Sequence, residues 1–265
     1  CGLGLRTELQ KAFVVPNGTP IAAFDQTHRF FQQLSAEREE QRQPWRLAFA
    51  ARLIPLKGLL VLLEALALLK DNSNIDFTLG VMGHDDETPD YAEHCRQRCT
   101  ELGLGDVVTF AGYQNLRKAL VHYDLLVLPS YNEGMPIVVL EAMAVGLPVV
   151  GTRVGGMAEV IESRLAGSGD DRCGVLVEPG DSTALARALH QVLSDPRLYH
   201  HLQSNARNRV LARFRLEQVM SAYRNAYHQI AAQADEFSLP PANGRGELPR
   251  LWRQSIGLAS EWQDS

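Results

Sequence analysis

The stretch DLLVLPSYNEGMPIVVLEAMAVGLPVVGT, residues 124–152, decides the fold that we expect for this chain. It begins with an apolar run at 124–130, passes through a polar loop, and continues in apolar runs at 136–146 and 147–152. The first and third runs are short and continuous, which is typical of strands buried on both faces of a parallel sheet, whereas the second reads as a helix. The stretch therefore predicts a strand–helix–strand unit of an α/β protein.

The same alternation continues along most of the chain. Further strands are predicted at 46–53, 76–83, 106–112 and 173–179, and helices at 57–71, 91–104, 116–123 and 155–163, with two or three more in 182–232. This pattern favours a doubly wound, Rossmann-like parallel sheet. We expect residues 46–232 to form that domain, 1–45 to be a lead-in segment with a first strand, and 233–265 to be a C-terminal tail.

Composition and charge narrow the class of protein. The 265 residues carry a net charge of -5, so bulk charge does not suggest a surface for nucleic acid. Glu64 and Glu141 interrupt the longest apolar runs, and we expect a cytoplasmic protein without a spanning helix. The chain starts at Cys1 without methionine or a signal-like block, so we expect part of the protein to lie upstream. Cys95 and Cys99 are expected to be reduced thiols rather than metal ligands.

The first candidate site is the loop RLIPLKG, residues 52–58. In doubly wound sheets ligands bind beyond the carboxyl ends of the strands, and Arg52 ends the first predicted strand of the domain. Lys57 is expected to open the following helix, whose free N–H groups add to the two side-chain charges. The loop therefore indicates an anion site, and the alternative is a pair of solvated charges.

The second candidate site lies in the stretch quoted first. The N–H groups of Gly134, Met135 and Ile137 are expected to point out of a helix start, which makes a second anion site. Glu133 and Glu141 place two carboxylates beside it, and a carboxylate accepts hydrogen bonds from a vicinal diol such as a ribose. Otherwise Glu141 pairs with a lysine or arginine, or faces water. The two sites together favour a nucleotide sugar.

From residue 12 to about 230, the chain resembles the carboxy-terminal, donor-binding half of a GT-B glycosyltransferase, and in detail glycosyltransferase family 4. The pieces that carry the resemblance are VVPNG, ARLIPLKG, VTFAGY, DLLVLPSYNEG, the E-x7-E pair Glu133 and Glu141, LEAMAVGLPVVGT, VGGMAEVI and GVLVEPGD, in this order. Each motif is short, and their order and spacing over some two hundred residues make the resemblance specific.

The resemblance implies a role for each candidate residue. Arg52 and Lys57 would neutralise the diphosphate of the leaving nucleotide, and Glu133 would face the transferred sugar or its phosphate. The donor-binding residues would be Gly112 and Tyr113 at the nucleobase, Gly134, Met135 and Ile137 at the distal phosphate or the sugar hydroxyls, and Glu141 at the ribose.

The resemblance also implies an activity for the intact protein. Members of the family transfer a sugar, with retention of configuration, from a nucleotide-diphosphate sugar to a glycan or lipid-linked acceptor, as in polysaccharide biosynthesis. They need no metal in the donor site and no further cofactor, and some associate peripherally with the membrane. Because the amino-terminal acceptor half is absent, we expect the present chain to be inactive alone and to need that missing domain as a partner.

The sequence departs from the family at the loop MGHDDE, residues 82–87. His84, Asp85 and Asp86 stand where a second glycine is often found, and we interpret Asp85 to Glu87 as a solvated acidic loop rather than a metal site. Three alternatives to a glycosyltransferase remain: a non-catalytic nucleotide-sugar-binding module completed by a separate subunit, a GT-B sugar-nucleotide epimerase, and a dinucleotide-binding oxidoreductase. No G-x-G-x-x-G follows a strand, which disfavours the last.

Overall fold

Six parallel strands form one sheet in the part of the chain that the computed structural model describes, residues 15–41, 43–85, 87–162 and 170–236. They are β1 (Trp45–Ala50), β2 (Phe77–Met82), β3 (Val108–Gly112), β4 (Leu125–Leu128), β5 (Val149–Thr152) and β6 (Gly174–Val177). Their order in the sheet is β3-β2-β1-β4-β5-β6, so the direction of winding reverses between β1 and β4. This order confirms the predicted α/β, Rossmann-like fold.

Helices follow the strands as the alternating pattern predicts. Within the described ranges they are α1 (Asp25–Glu40), α2 (Leu59–Asn72), α3 (Pro89–Glu101), α4 (Leu116–Ala119), α5 (Ile137–Val145), α6 (Met157–Ile161), α7 (Ser182–Ser194), α8 (Pro196–Arg213) and α9 (Leu216–Glu236). Short 3-10 helices lie at Ile21–Phe24, Pro55–Lys57 and Leu120–His122. Residues up to Ser221 belong to one compact unit, and the described part of a second unit, from Ala222, is the remainder of α9.

The central strand β1 shows why the strands read as continuous apolar runs. Leu47 and Phe49 pack in a core cluster with buried residues of α2, α3 and α7. Ala48 and Ala50 face the other side of the sheet and pack with buried residues of α1, α5 and α8. Successive side chains of a strand point to opposite faces, and here both faces are covered by helices. The four buried positions of the strand, 47–50, are therefore all apolar.

The lead-in segment contributes to this core. Phe24 and Phe31 are fully buried in the cluster beneath α5. The strand expected directly before the turn at 16–18 falls partly on Val14, which lies outside the described residues, and 15–18 form no regular element. Thr19 forms a single bridge with Arg215.

At the other end of the chain, α9 continues to Glu236, four residues into the expected tail. Residues 237–265 lie outside the described ranges. The domain boundaries at 45 and 232 stay predictions. No helix within the described ranges combines the length and the apolar character that a bilayer span requires.

The described cysteines are buried. Cys95, Cys99 and Cys173 are free thiols, and burial raises the pKa of Cys95 to about 11 and that of Cys173 to about 12. Thiols with such pKa values stay protonated and are poor metal ligands. Among the described residues, no group of three or more His, Cys, Asp or Glu side chains is placed to hold a metal ion.

A cavity of about 380 Å³ opens at the amino edge of the sheet. At its base the Arg38 guanidinium and the Asp124 carboxylate form a buried ion pair at 2.8 Å. The other carboxylate oxygen of Asp124 accepts the backbone N–H of Arg46 at 2.8 Å, and its carbonyl accepts the Tyr199 hydroxyl at 3.1 Å. Burial raises the pKa of Asp124, and the Arg46 N–H and the Arg38 charge act in the opposite direction. These polar groups satisfy one another and tie α1 and α8 to the sheet.

We expect Asp124→Ala to lower the free energy of unfolding by about 3 kcal/mol, because it leaves the Arg38 guanidinium buried without its partner. Urea unfolding followed by circular dichroism measures the change. The double variant Arg38→Met/Asp124→Leu removes both charges and is expected to lose much less. A double variant as unstable as Asp124→Ala would show that the charge left behind is not the cause.

Candidate functional site

The candidate site lies where the strand order reverses, between the loops that follow β1 and β4. These loops are in direct contact, since the Tyr131 N–H donates to the Leu56 carbonyl at 2.8 Å. Gly58 has a φ of 70°, and a Cβ at this position would overlap the carbonyl oxygen of Pro129. Only glycine allows both the backbone conformation and the close approach. The loop with the first predicted anion site is therefore held against the loop with the second.

Lys57 and Glu133 meet across this contact. The Lys57 Nζ lies 2.7 Å from the Glu133 Oε1, and their side chains are only 16% and 8% exposed. The buried Ser130 hydroxyl donates to the same carboxylate oxygen at 2.7 Å. The structure thus brings two of the three predicted catalytic residues together, and their charges neutralise each other.

The position of Lys57 differs from the expectation in one respect. It ends the 3-10 helix Pro55–Lys57, and α2 begins at Leu59. The left-handed conformation of Gly58 interrupts the helical hydrogen bonding between them. The N–H groups at the start of α2 therefore belong to a separate helix from the one that carries Lys57.

Arg52, the third predicted catalytic residue, lies two positions beyond β1 and is paired on the surface. Its guanidinium contacts the Glu87 carboxylate at 2.7 Å, and both side chains are 53% exposed. The Asp85 carboxylate accepts from Arg96 at 2.6 Å. Asp85 and Glu87 are thus about half exposed, in keeping with the expected solvated acidic loop, and each in addition pairs with an arginine; Asp86 lies outside the described residues. Exposed pairs of this kind are weak, so Arg52 can exchange its partner at little cost.

The backbone at the start of α5 offers free donors. The N–H groups of Gly134, Met135 and Ile137 donate to none of the residues that the structure describes, and Pro136 provides no side-chain cap. A Cβ at Gly134 would meet no atom within 4 Å, so the space beside it is open. Unpaired N–H groups at a helix N-terminus favour an anion. These three donors are thus available, and their binding of an anion stays a prediction.

Glu141 lies one turn further along α5. Its side chain is half-buried and has neither a hydrogen bond nor an ion pair with any residue in the described ranges. Burial raises the pKa of its carboxyl group, and the charge of Arg117 on α4 acts in the opposite direction. Of the alternatives posed by the sequence, an ion pair with lysine or arginine is not found among the described residues. A half-buried carboxylate without a partner is an acceptor available to a ligand.

Gly112 and Tyr113 follow β3 at the same edge of the sheet. The Tyr113 ring is 70% exposed and stacks on His84, with ring centroids 4.5 Å apart and an interplanar angle of 26°. The Gly112 carbonyl accepts the Gly83 N–H at 2.9 Å, which joins the loops after β2 and β3. Parallel strands are about 4.8 Å apart, so this flat surface lies roughly 10 Å from β1. The helix α4 begins just beyond it and packs against α5, which carries Glu141.

Three contributing side chains were not identified from the sequence. Ser130 binds Glu133, the Thr152 hydroxyl in turn donates to the Ser130 carbonyl, and Arg117 acts on Glu141. The signal for Ser130 and Thr152 is their position, since each lies at the carboxyl end of a predicted strand. Arg117 gave no comparable signal.

A parallel sheet with anion-binding groups at its switch point occurs in many classes of enzyme. Comparison with known sequences assigns the class here. The chain belongs to the glycosyl transferases group 1 family, whose model matches residues 30–209.

Named relatives within this family are similar over part of their length. An N-acetyl-alpha-D-glucosaminyl L-malate synthase from Bacillus anthracis is 39% identical over 135 residues, which are 51% of this chain and 34% of that protein. An MMP alpha-(1->4)-mannosyltransferase from Mycolicibacterium hassiacum is 31% identical over 193 residues, covering 70% of this chain and 44% of the relative. The chain thus spans less than half the length of both proteins.

Solved structures agree with this assignment. A sucrose-phosphate synthase from Thermosynechococcus elongatus superposes with a TM-score of 0.67 and 29% identity, covering 83% of this chain and 53% of the other. Anabaena HepE in complex with UDP-glucose has a TM-score of 0.67 and 26% identity, with 86% of this chain and 59% of HepE covered.

We expect Glu141→Gln to be at least as stable as the natural chain at neutral pH. The pKa of Glu141 is raised in the folded state, so the unfolded chain loses this proton first as pH rises. The free energy of unfolding therefore falls as pH rises from 4.5, the ordinary pKa, to the higher pKa of the folded state. Glutamine has no proton to lose, so the variant escapes this fall, and the difference vanishes below 4.5. Urea unfolding on both sides of that pH measures it. A clear loss of stability in the variant at neutral pH would mean that Glu141 has a structural partner.

Proposed function

We propose that this chain is the carboxy-terminal, donor-binding half of a family 4, GT-B glycosyltransferase. The intact enzyme transfers a sugar from a nucleotide-diphosphate sugar to a glycan or lipid-linked acceptor, with retention of configuration. One observation carries the proposal: a lysine, three N–H groups and a carboxylate lie together at the switch point of a sheet in a chain of the glycosyl transferases group 1 family, and neither the N–H groups nor the carboxylate of Glu141 have a hydrogen-bond partner among the described residues.

The diphosphate is assigned to Lys57, Arg52 and the start of α5. As the bond between the sugar and the distal phosphate breaks, negative charge builds up on that phosphate, and fixed cations and dipoles stabilise it. Lys57 is held close to α5 by its contact with Glu133. Arg52 reaches the ligand by leaving its exposed pair with Glu87. Both cations are therefore close to where the charge develops.

The sugar is assigned to the side of the site where Glu133 lies. One oxygen of its carboxylate is occupied by Lys57 and Ser130, and the other has no hydrogen-bond partner among the described residues. A carboxylate oxygen accepts from sugar hydroxyls, and the first oxygen is oriented by two donors. Glu133 is in this way positioned to orient a donor sugar while keeping Lys57 in place.

The nucleoside is assigned to α4, α5 and the loop after β3. Glu141 accepts from the ribose hydroxyls, which would offset the desolvation of its carboxylate. The ring of Tyr113, stacked on His84, offers a flat exposed surface for the nucleobase, with Gly112 at its border. The UDP and UDP-glucose complexes of HepE support a nucleotide-sugar donor for this chain.

The remaining parts of the proposal concern the intact protein. The acceptor is bound by an amino-terminal domain, which accords with a chain that spans only part of its relatives. No metal takes part at the donor site, where the cations and N–H groups supply the positive charge. The intact enzyme acts in the cytoplasm, associates peripherally with the membrane where its acceptor is lipid-linked, and serves polysaccharide biosynthesis.

We expect calorimetric titration of the chain with UDP, GDP and ADP to give saturable binding of one of them. Glu141→Gln should weaken binding of that nucleotide about tenfold, because a hydrogen bond to a charged acceptor is worth roughly 1.5–3 kcal/mol. Glu64→Gln, at an exposed position of α2, is the control and should bind as the natural chain does. A chain that folds and binds none of the three nucleotides contradicts the assignment.

We expect Lys57→Ala and Arg52→Ala each to weaken the nucleoside diphosphate by about tenfold or more while leaving the bare nucleoside within about twofold. The reason is that both cations are assigned to the diphosphate alone. Lys70→Ala, which removes a lysine that binds the Gly103 carbonyl at the far end of α2, is the control. Equal losses for the diphosphate and the nucleoside would show that these residues act on the fold rather than on the phosphates.

A further inference from the structure

Three successive carbonyl groups in the loop before α5 point into the protein. The carbonyl oxygen of Glu133 lies against Gly155, where an added Cβ would overlap it. The Gly134 carbonyl accepts the Gly156 N–H at 2.6 Å. The Met135 carbonyl accepts the side-chain amide of Asn17 at 2.7 Å. Two separate parts of the chain thus fix the orientation of this loop.

Fixed carbonyls also fix the N–H groups. In a planar trans peptide the C=O and the N–H point in opposite directions. The peptide that carries the Glu133 carbonyl supplies the Gly134 N–H, and the peptide that carries the Gly134 carbonyl supplies the Met135 N–H. With both carbonyls turned towards the 155–156 turn, both N–H groups turn away from it, and neither donates to a described residue.

Two neighbouring N–H groups on one side of a loop form a concave anion-binding nest. They donate only, so they suit a phosphate oxygen better than a sugar hydroxyl that has a proton of its own to place. The peptide between Met135 and Pro136 has no N–H, so it adds no donor to this nest, and the next N–H along the chain is that of Ile137. The carbonyl group of that peptide, which belongs to Met135, is nevertheless held by the Asn17 side chain, and this contact keeps the end of the loop from rotating.

We propose that Gly156 is a positioning residue that directs the Gly134 and Met135 N–H groups at the distal phosphate of the donor, and that Asn17 is a second one, which acts through the neighbouring Met135 carbonyl by fixing the end of the same loop. This inference rests on the proposed function, and it adds the device that orients the donors and the phosphate that they bind. Gly155 contributes to the same arrangement, because without a Cβ it leaves room for the Glu133 carbonyl. Its φ of 49° is strained for any other residue, so it is a poor test position.

Gly156→Ala is the more specific test. Gly156 has an ordinary φ of -76°, so alanine fits this backbone conformation and the substitution acts only through the contacts of the added Cβ. The added Cβ would lie 2.5 Å from the Gly134 carbonyl oxygen and would displace it. Asn17→Ala removes a donor from an exposed side chain and is not expected to impair folding. The matched controls are Gly105→Ala, where a Cβ meets no atom within 4 Å, and Asn74→Ala at an exposed position before β2.

The measurement compares UDP, UMP and uridine by calorimetry on the 265-residue chain, or the corresponding set for the base selected above. The natural chain is expected to prefer the diphosphate to the monophosphate. Gly156→Ala and Asn17→Ala should each weaken UDP about tenfold, the loss for a misdirected hydrogen bond to a charged group, and leave UMP and uridine within about twofold. A purely structural role would lower the melting temperature and weaken all three ligands alike.

The outcomes separate the two proposals. If the natural chain prefers UDP and both variants keep that preference, the positioning inference is wrong and the donor site stands. If the natural chain binds UDP no better than UMP, the diphosphate site itself is wrong and the inference falls with it. Should Gly156→Ala fail to fold, Asn17→Ala against Asn74→Ala decides the matter alone.

Discussion

The contact between Lys57 and Glu133 is the interaction on which the site depends. It joins the loops after β1 and β4, which diverge from the sheet because the winding reverses between these two strands. A pair this poorly exposed loses hydration, and the Ser130 hydroxyl provides part of the compensation. With the two loops held together, the start of α5 lies beside a cation, and the N–H groups, the lysine and Glu141 belong to one surface.

Polar groups at the two edges of the sheet serve different purposes. At the amino edge Arg38, Asp124 and Tyr199 satisfy one another and hold helices in place. At the carboxyl edge Glu141 and the N–H groups before α5 have no partners within the described residues. Buried polar groups are normally paired, so an unpaired set on one surface is suited to binding a ligand. The cavity at the amino edge is well formed too, but Arg38, Asp124 and Tyr199 beside it are already paired with one another.

The sequence predicted the fold well because the strands are buried on both faces. Runs such as 124–130 and 147–152 carry no polar interruptions, and their alternation with helices specifies a parallel sheet. The sequence also identified Lys57, Glu133 and Glu141 as candidates, since each follows a strand or lies near a helix start. It could not predict that Lys57 binds Glu133, because 76 positions separate them and only the order of the strands brings them together.

The orientation of the loop before α5 was equally hidden. Asn17 and Met135 are 118 positions apart, and the contact of Gly156 with Gly134 is between backbone atoms, which carry no residue-specific signal. The pairing of Arg52 with Glu87 depends on side-chain conformations at the surface. In each case the sequence does not show how far apart the groups lie, because the sheet alone determines that distance.

The pairing of both cations has a consequence for how a ligand arrives. With Lys57 matched by Glu133 and Arg52 by Glu87, neither cation gives the site a net positive charge, and the chain as a whole is negative. Such a surface exerts a weak long-range field on a dianion, so electrostatic steering contributes little to the encounter. Attraction begins only at short range, once the carboxylates exchange partners. Association is then governed by collision and rearrangement, and its rate varies little with ionic strength, while the lifetime of the complex reflects the full set of contacts.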